Sequence, residues 1–250
     1  MIGGKMKKIF FLIIIVSLAV IPVLSDFKIT YESRTEGYYY GGVNYPEEVD
    51  EQVIWIGGET FAFVTDARRV VIDLKEGIMA LILTGLKKYA VTELPFKLSG
   101  VLPDELVKYL AGVETQGNLK ALPEKKNIDK YECSVYESSS WILYQGDKVN
   151  EIDSRFFVSI DVPLDLVLYE KMNRHLRVLR NYSPAFITEL EKLEGIPVLV
   201  ESYFYPKGFA VKNTSILRSI EDVVPPAGIY TIPETFEKTD KLTMQEFRIR

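Results

Sequence analysis

From Val53 to Leu94 the chain is a string of short apolar runs separated by very short connections. Val53–Ile56 is followed by Gly57-Gly58 and then by Thr60–Thr65. Val70–Leu74 leads through Lys75-Glu76-Gly77 into Ile78–Leu83, and Thr84-Gly85 leads into Lys87–Leu94. Runs of this length are too short for helices and suit strands. A parallel neighbour needs a crossover of a dozen or more residues, and these connections are far shorter. The segment is therefore expected to be an antiparallel meander, with Gly57-Gly58 as a two-residue hairpin turn.

The rest of the chain adds strands and a few helices to this meander. Phe27, Ile29 and Tyr31 alternate with polar residues, as a strand with one covered face requires. Tyr38-Tyr39-Tyr40-Gly41-Gly42 reads as a loop or a strand end. Pro103-Asp104-Glu105 opens a helix with Leu106, Val107 and Leu110 on its apolar side, and Gly112 closes it. Residues 114–127 are polar, with Gly117 and Pro123, and read as a surface loop. Strands follow at Ile128–Tyr136, Trp141–Tyr144 and Arg155–Ile160. Leu164, Leu168, Met172, Leu176 and Leu179 then recur at helical spacing, with Asp161 and Pro163 at the start. Ser183-Pro184 is an N-cap with proline at the first helical position, and that helix runs to Gly195. Ile196–Tyr205 and Phe209–Ser215 form a hairpin, and Leu242–Ile249 reads as a last strand. No internal repeat or low-complexity linker divides the chain, so residues 26–250 are expected to form a single α+β domain.

The N-terminus points to a compartment. Lys5, Lys7 and Lys8 precede a nearly unbroken apolar run from Ile9 to Leu24, and Val23-Leu24-Ser25 is a small-residue cleavage site. This is the pattern of a secretory signal peptide over residues 1–25. Ile9–Ile21 ends at Pro22 and is short for a membrane span. The expected location is periplasmic or secreted. Asp26, where a lipoprotein would carry cysteine, leaves no acylation site after the run. Removing the segment takes away three lysines and no acid, leaving 27 basic against 35 acidic residues. An acidic chain of this kind is poorly suited to nucleic acid, which needs clustered Lys and Arg.

Reactive groups are scarce. There is one His and one Cys among 250 residues, which excludes an intrachain disulfide, a thiolate metal cluster and a multi-histidine metal site. Cys133 is expected to be a buried thiol on a strand. His175 sits among Arg174, Arg177 and Arg180 and reads as a solvated or capping residue. Gly112 and Gly117 have the glycine spacing of a phosphate loop, but Asn118-Leu119 follow where Lys and Ser/Thr are needed. Asn181 and Asn213 head glycosylation sequons. Acidic pairs such as Glu47-Glu48 are too common in so acidic a chain to single out an acid and a base. No cofactor, metal site or catalytic residue is expected, and the protein reads as a non-enzyme.

The aromatic residues carry more. Trp55, Phe61, Phe63, Tyr89, Tyr131, Trp141 and Phe157 lie on expected strands or their ends. They serve cross-strand packing, and a sheet covered by helices can also enclose an apolar pocket with them. The candidates for lining such a pocket are Trp55, Phe61, Phe63 and Trp141 from the sheet, with Leu168 and Met172 from the long helix.

The order of segments resembles the LolA-type fold of periplasmic lipoprotein carriers, and most nearly a group of exported bacterial proteins related to them. The resemblance lies in Val53-Ile54-Trp55-Ile56 with Phe61-Ala62-Phe63, Val71-Ile72-Asp73-Leu74, and Lys87–Pro95. It continues in Tyr131–Tyr136, Leu193–Val198 and Ile229–Glu234, so that it spans residues 53–234. It implies an open antiparallel half-barrel of about eleven strands with helices packed on its concave face. It also implies a monomer with a groove for acyl chains or another hydrophobic ligand, a lipid-modified protein as possible cargo, and transient membrane contact. No arginine of this chain is matched to the one that latches the lid of the best-known carriers. A sensor or protein-interaction module on the same fold is the alternative.

Overall fold

The computed structural model describes residues 26–144 and 146–247. The export signal expected over residues 1–25 lies outside them. The strands are β1 (Asp26–Thr35), β2 (Tyr38–Tyr40), β3 (Val43–Tyr45), β4 (Glu48–Gly57), β5 (Thr60–Val64), β6 (Arg68–Asp73), β7 (Ile78–Leu83) and β8 (Lys88–Glu93), followed by helix α1 (Asp104–Ala111). Then come β9 (Thr115–Ile128), β10 (Tyr131–Tyr144), β11 (Asp147–Ser159), α2 (Leu166–Leu179), α3 (Pro184–Leu190), β12 (Ile196–Phe204), β13 (Val211–Val223), β14 (Glu237–Lys238) and α4 (Met244–Phe247).

Twelve strands form one open sheet in the order β14-β8-β7-β6-β5-β4-β1-β13-β12-β11-β10-β9, and β2 and β3 pair separately. All pairings in the large sheet are antiparallel except β14 with β8. The fold is thus a mostly-sheet α+β architecture. Two meanders, β4 to β8 and β9 to β13, meet on β1, which pairs with β4 on one side and β13 on the other. The first meander follows the sequence expectation with one shift. Gly57 pairs with Thr60, so the hairpin turn is Gly58-Glu59, and Gly58 supplies the positive φ of +59°.

Two apolar layers result. On the inner face, Ile29, Phe61, Val70, Ile72, Met79 and Leu81 pack with Tyr169, Met172 and Leu176 of α2. On the outer face, Trp55, Ala62, Val71, Ala80 and Ile82 are covered by Ile229, Tyr230, Ile232 and Phe236 from the irregular segment after β13. Burial on both faces is why Ile78–Leu83 is apolar at every position rather than at alternate ones. The covering segment is pinned by Arg69, which donates to Gly228 O at 2.9 Å and Thr231 O at 2.7 Å. Tyr230 Oη also donates to Asp26 Oδ2 at 2.5 Å.

Several expectations are corrected. Residues 115–128 are not a loop but a fourteen-residue edge strand. They are polar because an edge strand has little to cover it, and Pro123, which has no N–H to donate, discourages further pairing on this strand. The expected strand from Ile128 to Tyr136 crosses a turn at Asp129-Lys130, where Asp129 takes φ +49°. Tyr38–Tyr45 forms the small β2–β3 hairpin. The last strand is replaced by α4 within the described residues. Helix α2 begins later than expected because the Asp165 carboxylate accepts from Val167 N at 2.9 Å and Leu168 N at 3.1 Å. Ser183 caps α3, accepting from Phe186 N at 3.2 Å, as the sequence indicates.

Candidate functional site

The inner face of the second meander is not filled. Between β1, β4 and β10 to β13 on one side and α2 and α3 on the other lies a cavity of about 690 Å³, within the range of small-molecule sites. Its size follows from residue choice. In the first meander the inner face carries Phe, Ile and Met, which reach the helix. In the second, Thr35, Asn213, Ser202, Ser154 and Ser138 stand opposite one another on β1, β13, β12, β11 and β10. These short side chains leave the space between sheet and helices open. Partial satisfaction comes from within the row: Ser154 Oγ and Ser202 Oγ are 2.8 Å apart, and Asn213 Nδ2 donates to Thr35 Oγ1 at 2.9 Å and Ser33 Oγ at 3.2 Å.

Aromatic and aliphatic groups flank this polar row. Toward the ends of β1, β10 and β12 the cavity is lined by Tyr38, Tyr45, Ile152 and Phe204. Tyr38 stacks on Tyr45 with ring centroids 4.6 Å apart and meets Phe204 edge-on at 5.9 Å, so the β2–β3 hairpin folds over this end. At the other end lie Tyr31, Ile54, Phe63, Tyr169 and Leu176. Tyr31 Oη donates to Pro197 O at 3.0 Å. Burial pushes the phenols of Tyr31 and Tyr169 above their ordinary range, and the two hydroxyls interact with each other. The site therefore has a depth of aliphatic and aromatic groups that carries two phenol hydroxyls, a neutral hydroxyl belt and an aromatic mouth.

Charge enters mainly from α2. Arg177 is almost fully buried and grips Glu170 with both guanidinium nitrogens; the Nη2 to Oε2 distance is 3.1 Å. Burial pushes the Glu170 carboxyl up, and Arg177 opposes that shift. Arg174 pairs with Glu191 at 3.4 Å. Arg180 and Glu48 also line the cavity, and neither side chain has a hydrogen-bond or ion-pair partner among the described residues.

The expected pocket residues separate. Phe63 lines the cavity. Phe61 and Met172 are fully buried in the inner core, and Leu168 packs against that core. Trp55 lies on the opposite face, because it pairs with Ala62 while Ile54 pairs with Phe63 and Ile56 with Phe61. The Lys148 Nζ sits over the Trp141 ring, 3.6 Å from its centroid, and Trp141 is not among the lining residues. The serines and Asn213 that shape the cavity are missed by a search for large apolar groups. Their signal is alternation with a small polar residue at every second position, as in Ser138-Ser139-Ser140 and Asn213-Thr214-Ser215.

Other singled-out residues have plain structural places. Cys133 is fully buried on β10, and burial raises its thiol pKa. Gly117 is not part of a phosphate loop: it lies in β9, with the Phe186 ring filling the space a side chain would need. Asn181 takes φ +59° and donates to Leu110 O at 3.0 Å, tying the end of α2 to α1. His175 is half-buried, and desolvation, followed by Arg174, lowers its pKa. Among the described residues no group of three or more metal-ligating side chains is close enough to hold an ion, and no helix is long and apolar enough to cross a membrane. The chain matches no known family model and no curated protein.

Proposed function

We propose that this protein is an exported, non-enzymatic binding protein of the cell envelope that holds a lipid-like ligand between its sheet and helices α2 and α3, on a LolA-type half-barrel. The observation that carries this reading is the unfilled cavity of about 690 Å³, with aliphatic and aromatic groups in its depth, neutral hydroxyls at its waist and tyrosines at its mouth. A purely structural core would fill this volume, since voids of that size forfeit dispersion and transfer energy. The layered lining suits an amphiphile better than a plain hydrocarbon, because the hydroxyl belt needs polar partners when water leaves. The lysine-flanked apolar run at residues 1–25 supports export.

The test is native mass spectrometry, with lipid extraction, of the protein purified from its own envelope. Stoichiometric amphiphile on the native protein is the expected result. Ser154→Phe, which fills the waist, should remove that ligand and leave the unfolding free energy within about 1 kcal/mol of the parent. A ligand-free protein that takes up no lipid in reconstitution would sink the reading.

An envelope sensor or interaction module is favoured by a different observation. The loops joining β1 to β4, β10 to β11 and β12 to β13 lie at one end of the sheet and expose Tyr39, Val43, Leu143, Tyr144 and Tyr205. A cluster of exposed aromatic side chains around a cavity mouth is a feature of partner-binding surfaces. In that reading the ligand or its absence would be reported to a partner through the β2–β3 hairpin.

A further inference from the structure

Four charged residues line the cavity, and they are not equivalent. Glu170 and Arg177 satisfy one another through two hydrogen bonds. Arg180 caps the C-terminal end of the same helix, is exposed, and its side chain has no acidic partner among the described residues. It stands near Tyr182, which bridges to Thr115 at the start of β9 and so belongs to the mouth end. Glu48, at the start of β4, is also exposed, and its carboxylate has no cationic partner among the described residues. It comes from the sheet, as the register partner of Thr35, whereas Arg180 comes from the helical side.

In a water-filled mouth an unpaired guanidinium is fully hydrated. When an amphiphile enters, it displaces part of that water, and the guanidinium then needs a counter-charge. A neutral headgroup would leave it partly desolvated and unpaired. A carboxylate or phosphate would accept two parallel N–H bonds from it. The Glu48 carboxylate would repel the same anion and favour its placement on the helical side. We propose that the ligand of this cavity is an anionic amphiphile, its carboxylate or phosphate held by Arg180 at the mouth and its apolar part directed toward Ile54, Phe63 and Leu176. This rests on the lipid-binding reading above and specifies its ligand.

Arginine at a helix C-terminus also stabilises the last carbonyls, whatever occupies the cavity. That role affects stability and is blind to ligand charge, so ligand discrimination separates the two. The probes are lauric acid, dodecyl phosphate and dodecanol, titrated calorimetrically below their aggregation concentrations into the chain lacking residues 1–25. At least one of the two anions should bind about tenfold more tightly than the alcohol, the factor a single charge-assisted hydrogen bond supplies. Whichever anion binds more tightly identifies the headgroup as carboxylate or phosphate. Arg180→Gln should abolish the preference while leaving dodecanol binding unchanged, and Glu48→Gln should tighten anion binding about twofold without affecting the alcohol. Equal binding of acid, phosphate and alcohol would overturn the anion assignment and leave the lipid-binding reading intact. A preference that survives in Arg180→Gln would overturn the role of Arg180. Failure of all three probes to bind would remove both readings.

Discussion

At the scale of single residues, small side chains decide where this protein is solid and where it is hollow. Ser138, Ser154 and Ser202 occupy inner-face positions that Phe61, Ile72 and Met79 occupy in the other meander. Gly195 is equally specific. It adopts φ +125°, and a Cβ there would meet the carbonyl of Ser159 on the neighbouring strand. Gly195→Ala should cost about 1–3 kcal/mol, read as a lower denaturation midpoint with an unchanged slope. His175 gives a pH prediction. Its folded pKa lies below the ordinary value of 6.5, because burial and Arg174 disfavour the cation. The unfolded chain therefore binds the proton more readily, and stability that is full above pH 6.5 declines as the pH falls below it. Glu170 works the other way. Its raised pKa favours the fold below the ordinary value of 4.5, and that contribution is lost as pH rises through the folded pKa. In His175→Gln, the loss of melting temperature between neutral pH and about pH 5.5 should be smaller than in the parent; an identical pH profile would contradict this assignment.

At the scale of elements, the segment after β13 behaves as a strap over the outer face of the first meander. It has little regular secondary structure, so it is held by side chains: Arg69 and Tyr230 through hydrogen bonds, and Ile229, Ile232 and Phe236 through contact with the Trp55 layer. Phe236→Ala combined with Arg69→Ala should release the strap and expose Trp55. Because the only other tryptophan is Trp141, under Lys148, emission of a Trp141→Phe background reports on the strap alone. A red shift in that background is expected, with backbone amides of 224–236 exchanging faster than those of β4 to β7. Element boundaries also show what patterning can carry. The meander from β4 to β8 is legible because each strand is apolar and each turn short. Strand β9 is not, because Thr115–Ile128 is an edge whose exposure favours the same lysines, proline and asparagine as a loop.

At the scale of the whole molecule, β1 is the seam. Its pairing with β13 joins Phe27 to Asp222 and Thr35 to Asn213, and its pairing with β4 joins the same residues to the first meander. Ile29 is fully buried at this seam. Ile29→Ala should destabilise by about 2–5 kcal/mol and lower hydrogen-exchange protection in both meanders together; loss confined to one would show that the halves unfold independently. The strand-rich character, the antiparallel first meander, the helices α1, α2 and α3 and the structural place of the lone Cys133 are all legible in the amino-acid sequence. These depend on periodicity, capping and turn length, which are local. Which face each aromatic serves follows from the folded sheet instead. A strand's two faces are one residue apart, and both faces of the first meander are covered, so Trp55 and Phe63 look alike in sequence while lying on opposite sides of the sheet. The cavity, too, is a tertiary property. It exists because small polar residues distant in the chain, such as Thr35, Ser138 and Asn213, fall into one row beneath α2 and α3, and no local pattern records that alignment.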